Sequence, residues 1–236
     1  MSGLQQGRID GIYVVTDGRA GPGRDHVAIA AAAVAGGACI IQLREKDVPD
    51  RQLLEIACAI LSLTQEAGAL FIINNRPDIA LACAADGVHV GQDDLPIGSV
   101  RKILGPDAII GASTANAEEA ARAEAEGASY VAVSPVFSTM TKEDAGEGVG
   151  LEVITQIRRA VSIPVAAIGG ISLANIASVA AAGADSAAVV SAVTGAPDMK
   201  EAVRALAAEF ARGRKEKESG FREREDGPEA ISSPKS

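Results

Sequence analysis

Eight times along this chain a short apolar run gives way to a polar turn and then to a helical pattern. The runs are Ile12–Val15, Cys39–Leu43, Leu70–Ile73, Gly87–Val90, Ala108–Gly111, Tyr130–Val133, Pro164–Ile168 and Ser186–Val190. They are nearly continuous in apolar character, the signature of strands covered on both faces, as in a parallel sheet layered with helices. Between them, helices are predicted over His26–Ala35, with Asp25 placed to cap it, and over Asp50–Ala67, with Gly68 as its C-cap. Further helices are predicted over Asp78–Ala84, Val100–Leu104, Ala117–Glu126, Leu151–Ala160, Leu173–Ala182 and Pro197–Ala211. Eight βα units in about 200 residues point to a single (β/α)8 TIM barrel. The alternative is an open doubly wound sheet, which usually has fewer strands and often carries a Gly-rich fingerprint after the first. Gly18, Gly21 and Gly23 do not have that spacing.

Composition limits what such a barrel can be made of and what it can bind. Hydrophobic residues are 47% of the 236 but aromatics only 3%, and Trp is absent, so the core must be built from Ala, Val, Ile and Leu. The net charge of −9 argues against nucleic acid and membrane surfaces as partners. A site for an anionic ligand must then be a local basic focus on an acidic protein. Cys39, Cys58 and Cys83 lie in apolar contexts without metal-like spacing and read as reduced, buried small hydrophobes, which fits a cytoplasmic protein. With only His26 and His89 in the chain, a His-rich metal site or a Ser-His-Asp triad is disfavoured. Residues 1–10 carry no apolar signal core, and no run is long enough to span a membrane. From Arg212 the composition turns to mixed charge runs and then Gly, Pro and Ser. The barrel domain is therefore placed at 1–211, and 212–236 is read as a charged, disordered tail.

In a parallel barrel, ligands are held just beyond the C-terminal ends of the strands. There this chain places Gln42, Arg44 and Lys46 after the second run, and Asn74 and Asn75 after the third. Gln92, Asp93 and Asp94 follow the fourth, Ser113 the fifth, and Thr139, Thr141 and Lys142 the sixth. Gly169 and Gly170 follow the seventh, and Ser191 the eighth. Two cations and an amide at one strand tip make an anion site. Taken alone, that stretch reads rather as an edge strand entering a solvated loop, and the rest of the chain reverses that preference. Together with one acidic cluster, hydroxyls and exposed backbone N–H groups at Gly169-Gly170, the set suits a phosphorylated substrate with a divalent metal. His89 alternates with apolar neighbours and reads as an interior packing residue with a hydrogen bond. Asp17 reads either as a turn cap or as a support at the barrel mouth.

Seven segments in order resemble the thiamine phosphate synthase family. They are Tyr13-Val14-Val15-Thr16-Asp17, Gln42-Leu43-Arg44-Glu45-Lys46, Ile73-Asn74-Asn75-Arg76 and Gly87-Val88-His89-Val90-Gly91-Gln92-Asp93-Asp94-Leu95-Pro96, then Thr139-Met140-Thr141-Lys142, Ala167-Ile168-Gly169-Gly170-Ile171 and Gly183-Ala184-Asp185. The resemblance implies a transferase joining hydroxymethylpyrimidine pyrophosphate to thiazole phosphate. It assigns Gln42, Leu43, Arg44, Glu45, Lys46, Asn74, Ser113 and Lys142 to the pyrimidine pyrophosphate, and Asn75 and Asp94 to Mg²⁺. Thr139, Thr141, Gly170, Val190 and Ser191 go to the thiazole phosphate. Arg44, Lys46 and Lys142 would carry the catalysis by neutralising the leaving pyrophosphate. The implied partners are small phosphorylated molecules; self-association is left open. Three positions depart from the family pattern: Asn75 where Asp is usual, Ser134 where Gly is usual, and Ala115 where many members have His. The alternatives are the paralogous thiazole tautomerase, whose catalytic His lies where this chain has Pro135, and a non-catalytic ligand-binding barrel.

Overall fold

Strand β1 (Gly11–Asp17) sits between β2 (Ile40–Arg44) and β8 (Ser186–Val189), and that second neighbour closes the sheet. The strands between are β3 (Leu70–Asn74), β4 (Gly87–Val90), β5 (Ile109–Thr114), β6 (Tyr130–Val133) and β7 (Val165–Ile168). They pair in sequence order, every ladder parallel, into a closed barrel. The ladder from Gly11↔Ser186 to Val14↔Val189 excludes the open sheet. The computed structural model describes residues 9–17, 25–138 and 148–225. Its helices are α1 (His26–Gly36), α2 (Asp50–Ala67), α3 (Pro77–Cys83), α4 (Ile97–Leu104), α5 (Ala117–Ala125), α6 (Leu151–Ala160), α7 (Ile176–Ala182), α8 (Ser191–Thr194) and α9 (Met199–Glu225). Among the described residues no helix is long and apolar enough to cross a membrane.

Local chemistry sets the helix ends. The Asp25 carboxylate accepts the Ala28 amide at 2.7 Å, satisfying one of the free N–H groups at the start of α1. Gly68 ends α2 at φ 68°, a left-handed conformation that glycine adopts without Cβ strain.

The strand period of two sorts side chains into two cores. Ile41, Leu43, Phe71, Ile73, Val88 and Val131 point outward and pack with helix residues such as Leu53, Ala57 and Ile60. Tyr13, Val15, Ile40, Leu70, Ile72, Ile109 and Tyr130 fill the barrel with Ala132, Ala166 and Ala188. On β6 to β8 the inner core is mostly alanine. Those small side chains leave open space toward the C-terminal mouth, which the bulkier residues of β1 to β3 would have closed.

Several expectations need correction. Cys39 and Cys58 are exposed, and only Cys83 is buried. Cys58 falls on the outer face of α2, and Cys39 stands just before β2, outside both cores. The fifth strand continues through Ser113 to Thr114, so Gly111 lies within it. Helices α4 and α7 begin at Ile97 and Ile176, and the short α8 was not anticipated. The last helix does not stop at Ala211 but runs to Glu225. Its charges are spaced to suit a helix: Arg212 pairs with Glu209 at i−3 and Glu216 at i+4. Arg214 also ties this helix to the barrel, donating to the Asp185 carbonyl at 2.9 Å and pairing with Asp10 at 2.7 Å. Residues 226–236 lie outside the described residues.

Candidate active site

The C-terminal mouth of the barrel holds a cavity of about 410 Å³. Strand β2 sends Gln42, Arg44 and Lys46 into it at alternate positions, because the two-residue period continues past the strand's end. The same period turns Leu43 and Glu45 away. Leu43 is 1% exposed, in the layer between strands and helices. Glu45 folds back: its carboxylate meets His26 Nε2 at 2.9 Å and accepts the backbone amides of Lys46 at 2.6 Å and Asp47 at 2.7 Å. The other nitrogen of the His26 ring, Nδ1, lies 2.8 Å from the buried Thr16 hydroxyl. Burial would push the Glu45 carboxyl up, but the His26 hydrogen bond and the two amides outweigh it and hold it below its ordinary value.

Arg44 is held from β1, where the Asp17 carboxylate pairs with its guanidinium and the Asp17 side chain is only 6% exposed. That pair is the support at the barrel mouth; the turn that Asp17 would cap lies outside the described residues. Next around the barrel come Asn74 and Asn75 at the tip of β3, then Gly91 to Asp94 after β4. Asn75 has a left-handed backbone, φ 60°, and its amide donates to the His89 carbonyl at 2.9 Å. Asp94 Oδ2 accepts the Gly91 amide at 2.6 Å, which shapes the loop and leaves Oδ1 without a protein partner among the described residues.

The floor is polar on one side. Gln42 Nε2 donates to the Tyr13 hydroxyl at 2.5 Å, which lies 2.9 Å from the Tyr130 hydroxyl. Tyr130 reaches His89 Nδ1 at 3.0 Å, and His89 Nε2 reaches Ser113 Oγ at 3.0 Å. Burial pushes the Tyr13 phenol up to about 12 against the lowering effect of its bonds to Tyr130 and Gln42. Burial also raises Tyr130 well above its ordinary value, with the neighbouring Tyr13 adding to it.

On the opposite side Gly169, Gly170, Val190 and Ser191 line the cavity. Gly170 has φ 62°, and a Cβ there would stand 2.8 Å from both Phe137 Cβ and the Ser138 carbonyl oxygen. The start of the β6–α6 loop is stapled to this turn, Val136 N to Ile168 O at 2.8 Å and Phe137 N to Gly169 O at 3.1 Å. Its far end returns beside the start, Val149 N to Pro135 O and Gly150 N to Val136 O, both at 2.9 Å.

The matching family model, described as thiamine monophosphate synthase, spans residues 12–193, which is every strand of the barrel. The chain belongs to the thiamine monophosphate synthase family. It is 55% identical over 195 residues to the thiamine-phosphate synthase of Methanoculleus marisnigri, covering 83% of this chain and 92% of that one. It is 53% identical over 200 residues to that of a Roseiflexus species, covering 85% of each. Among solved structures it resembles the thiamine phosphate pyrophosphorylase of Pyrococcus furiosus, with a TM-score of 0.81 at 41% identity over 89% of this chain and 98% of that one.

Of the residues that the family resemblance nominates, Gln42, Arg44, Lys46, Asn74, Asn75, Asp94, Ser113, Gly170, Val190 and Ser191 line this one cavity. Leu43 and Glu45 belong to the nominated run but do not line it. Thr139, Thr141 and Lys142 lie outside the described residues. Not anticipated as site residues were Tyr13, which lines the cavity, and Tyr130, behind it. A signal was available: these are the chain's only two tyrosines, each at an inward position of an otherwise aliphatic strand.

Proposed function

We propose that this chain condenses hydroxymethylpyrimidine pyrophosphate with thiazole phosphate, releasing pyrophosphate and thiamine phosphate. The observation that carries the reading is the convergence of cations, amides, carboxylates and hydroxyls from the C-terminal ends of several strands on one cavity, in a chain of this family. The thiazole nitrogen displaces pyrophosphate from the pyrimidine CH₂ group, through a pyrimidine cation that forms as pyrophosphate departs. No protein nucleophile is needed. What the site must do is neutralise charge growing on the leaving group and hold the nitrogen in line with the carbon.

Arg44 and Lys46 face the cavity from one strand, and Asp17 fixes the direction of the Arg44 guanidinium. We assign both, with Lys142, to the leaving pyrophosphate. Gln42, Asn74 and Ser113 hold and orient the pyrimidine pyrophosphate. Gly170, Val190 and Ser191, with Thr139 and Thr141, receive the thiazole phosphate; at Gly170 the backbone comes close enough that no side chain would fit. Glu45 acts at one remove, organising the backbone that carries Lys46, and Leu43 acts by packing β2 against its helices.

The described residues suit Mg²⁺ in a shared mode. Among them no three His, Cys, Asp or Glu side chains converge on a metal-sized point, so they supply no all-protein cage. Asn75 and Asp94 line the cavity side by side in strand order, and each keeps a side-chain oxygen that no described protein group uses. One carboxylate and one amide oxygen, completed by substrate phosphate and water, is a common arrangement for this ion. Bound there, Mg²⁺ would supply further neutralisation of the leaving pyrophosphate.

Pro135 lines the cavity wall where the tautomerase would have its catalytic His, which supports the synthase. A cytoplasmic location accompanies this reading, supported by three cysteines without disulfides. The test is a product assay with both substrates, with and without Mg²⁺. Thiamine phosphate and pyrophosphate in equal amounts, only with metal, are expected. Binding of thiazole phosphate without release of pyrophosphate would overturn the assignment.

A further inference from the structure

The floor of the cavity contains four linked hydrogen bonds that bridge the barrel from β2 through β1, β6 and β4 to β5. The hydroxyl and ring groups involved lie far apart in sequence, yet Tyr13 is 2% exposed, Tyr130 0%, Gln42 5% and His89 8%. Five polar side chains have been brought into an interior that aliphatic residues could have filled. We propose that Tyr13, Tyr130 and His89 are positioning residues: a one-way hydrogen-bond chain starting at Gln42 fixes His89 in its Nε2–H tautomer and thereby leaves the Ser113 hydroxyl hydrogen free to point at the substrate.

The direction follows from counting hydrogens. Gln42 presents Nε2, which only donates, so the Tyr13 oxygen accepts. A phenol has one hydrogen, and that of Tyr13 finds its partner in the Tyr130 oxygen, 2.9 Å away. The Tyr130 hydrogen is then directed to His89 Nδ1 at 3.0 Å. A neutral ring that accepts at Nδ1 carries its proton on Nε2, so His89 donates to Ser113 Oγ at 3.0 Å. Ser113 accepts that bond and lines the cavity, and its own hydrogen has no acceptor among the described residues. A substrate atom there must therefore be an acceptor, a phosphate oxygen or a ring nitrogen. Both phenols, raised above their ordinary range by burial, stay protonated donors at neutral pH. The reversed chain would also satisfy every group, but it needs Gln42 to present its carbonyl oxygen to Tyr13.

The inference rests on Ser113 being a substrate-binding residue, but its first test does not require turnover. In ¹⁵N NMR of the full chain labelled at histidine, His89 is identified as the signal lost in His89→Gln. The expected pattern is a protonated Nε2 and an unprotonated Nδ1; a protonated Nδ1 would mean the reversed chain and overturn the proposal. Because this is read on the wild-type protein without substrate, its failure is distinct from failure of the assigned reaction. In Tyr130→Phe the pattern should move toward a mixture of both tautomers. Kinetically, Tyr130→Phe should lower kcat about tenfold, the worth of one hydrogen bond, with little change in KM for thiazole phosphate. In a Ser113→Ala background it should cost nothing further, because its effect passes through Ser113. Losses that multiply would sink the relay.

Discussion

His26 Nε2 stands 2.9 Å from the Glu45 carboxylate, so the one acidic residue of the Gln42–Lys46 run faces backward while its neighbours face the cavity. Glu45 thereby joins the start of α1 to the loop that carries Lys46. Its carboxyl is held below the ordinary range, so the stabilising contribution has a definite sign. It is fully present above the unfolded carboxyl value of about 4.3 and lost as pH falls through the lower folded value. Glu45→Gln should therefore flatten the acid limb of the Tm profile while changing Tm less at pH 3 than at pH 6. An unchanged acid limb would show that the carboxylate is not part of the clamp.

The Arg44 guanidinium is held in place by Asp17, and lysine cannot copy that arrangement, since an ammonium lacks the planar fork. Arg44→Lys should lower kcat/KM for the pyrimidine substrate by about 10²-fold, the usual cost of removing a donor from developing negative charge. Asp17→Asn keeps the shape but loses the charge, and should cost about tenfold through Arg44 placement. Steady-state kinetics with the pyrimidine substrate varied would check both. Equal, negligible losses would remove Arg44 from the leaving-group site.

Gly111 makes room for the polar floor. A Cβ at this strand position would lie 2.1 Å from Tyr130 Cζ and 2.5 Å from His89 Nδ1. Gly111→Ala must therefore push the ring or the imidazole aside, and overpacking of this kind costs about 1–3 kcal/mol. Denaturant unfolding should show that loss, and activity should fall in parallel with Tyr130→Phe. An alanine tolerated without either effect would show that the floor is looser than these contacts imply.

The barrel was legible because its signal is local and repeated. Each strand is a short apolar run, and some helix boundaries carry chemistry that acts within four residues, as at Asp25 and Gly68; where no side chain caps the start, as at Ile97 and Ile176, the boundary was misplaced. The cavity residues were legible for a related reason, since they stand at strand tips, where a parallel barrel puts its ligands. What escaped is contact across the barrel. Tyr13 and Tyr130 are 117 residues apart, and alternation says that both point inward but not that their hydroxyls meet. Gly111 read as the last residue of the fifth apolar run, whereas it lies within the strand and is the gap that Tyr130 occupies. Beyond Ala211, charge runs suggested an end to packing, but at helical spacing they extend α9 and place Arg214 against Asp10 and Asp185.

Asn75, which the family resemblance sets where Asp is usual, has a left-handed backbone, φ 60°. Both Asn and Asp tolerate that conformation, so Asn75→Asp can change the charge without bending the β3 tip. In the arrangement proposed here Mg²⁺ relies on Asp94, an amide oxygen and the substrate. A second carboxylate should tighten it, because affinity for such hard cations rises with ligand charge. The half-saturating Mg²⁺ concentration for product formation should fall several-fold in Asn75→Asp. Isothermal titration with substrate pyrophosphate present should show the same direction without turnover. If neither quantity moves, Asn75 is not a ligand, and the ion must be held by Asp94 with other groups of the Gly91–Asp94 loop.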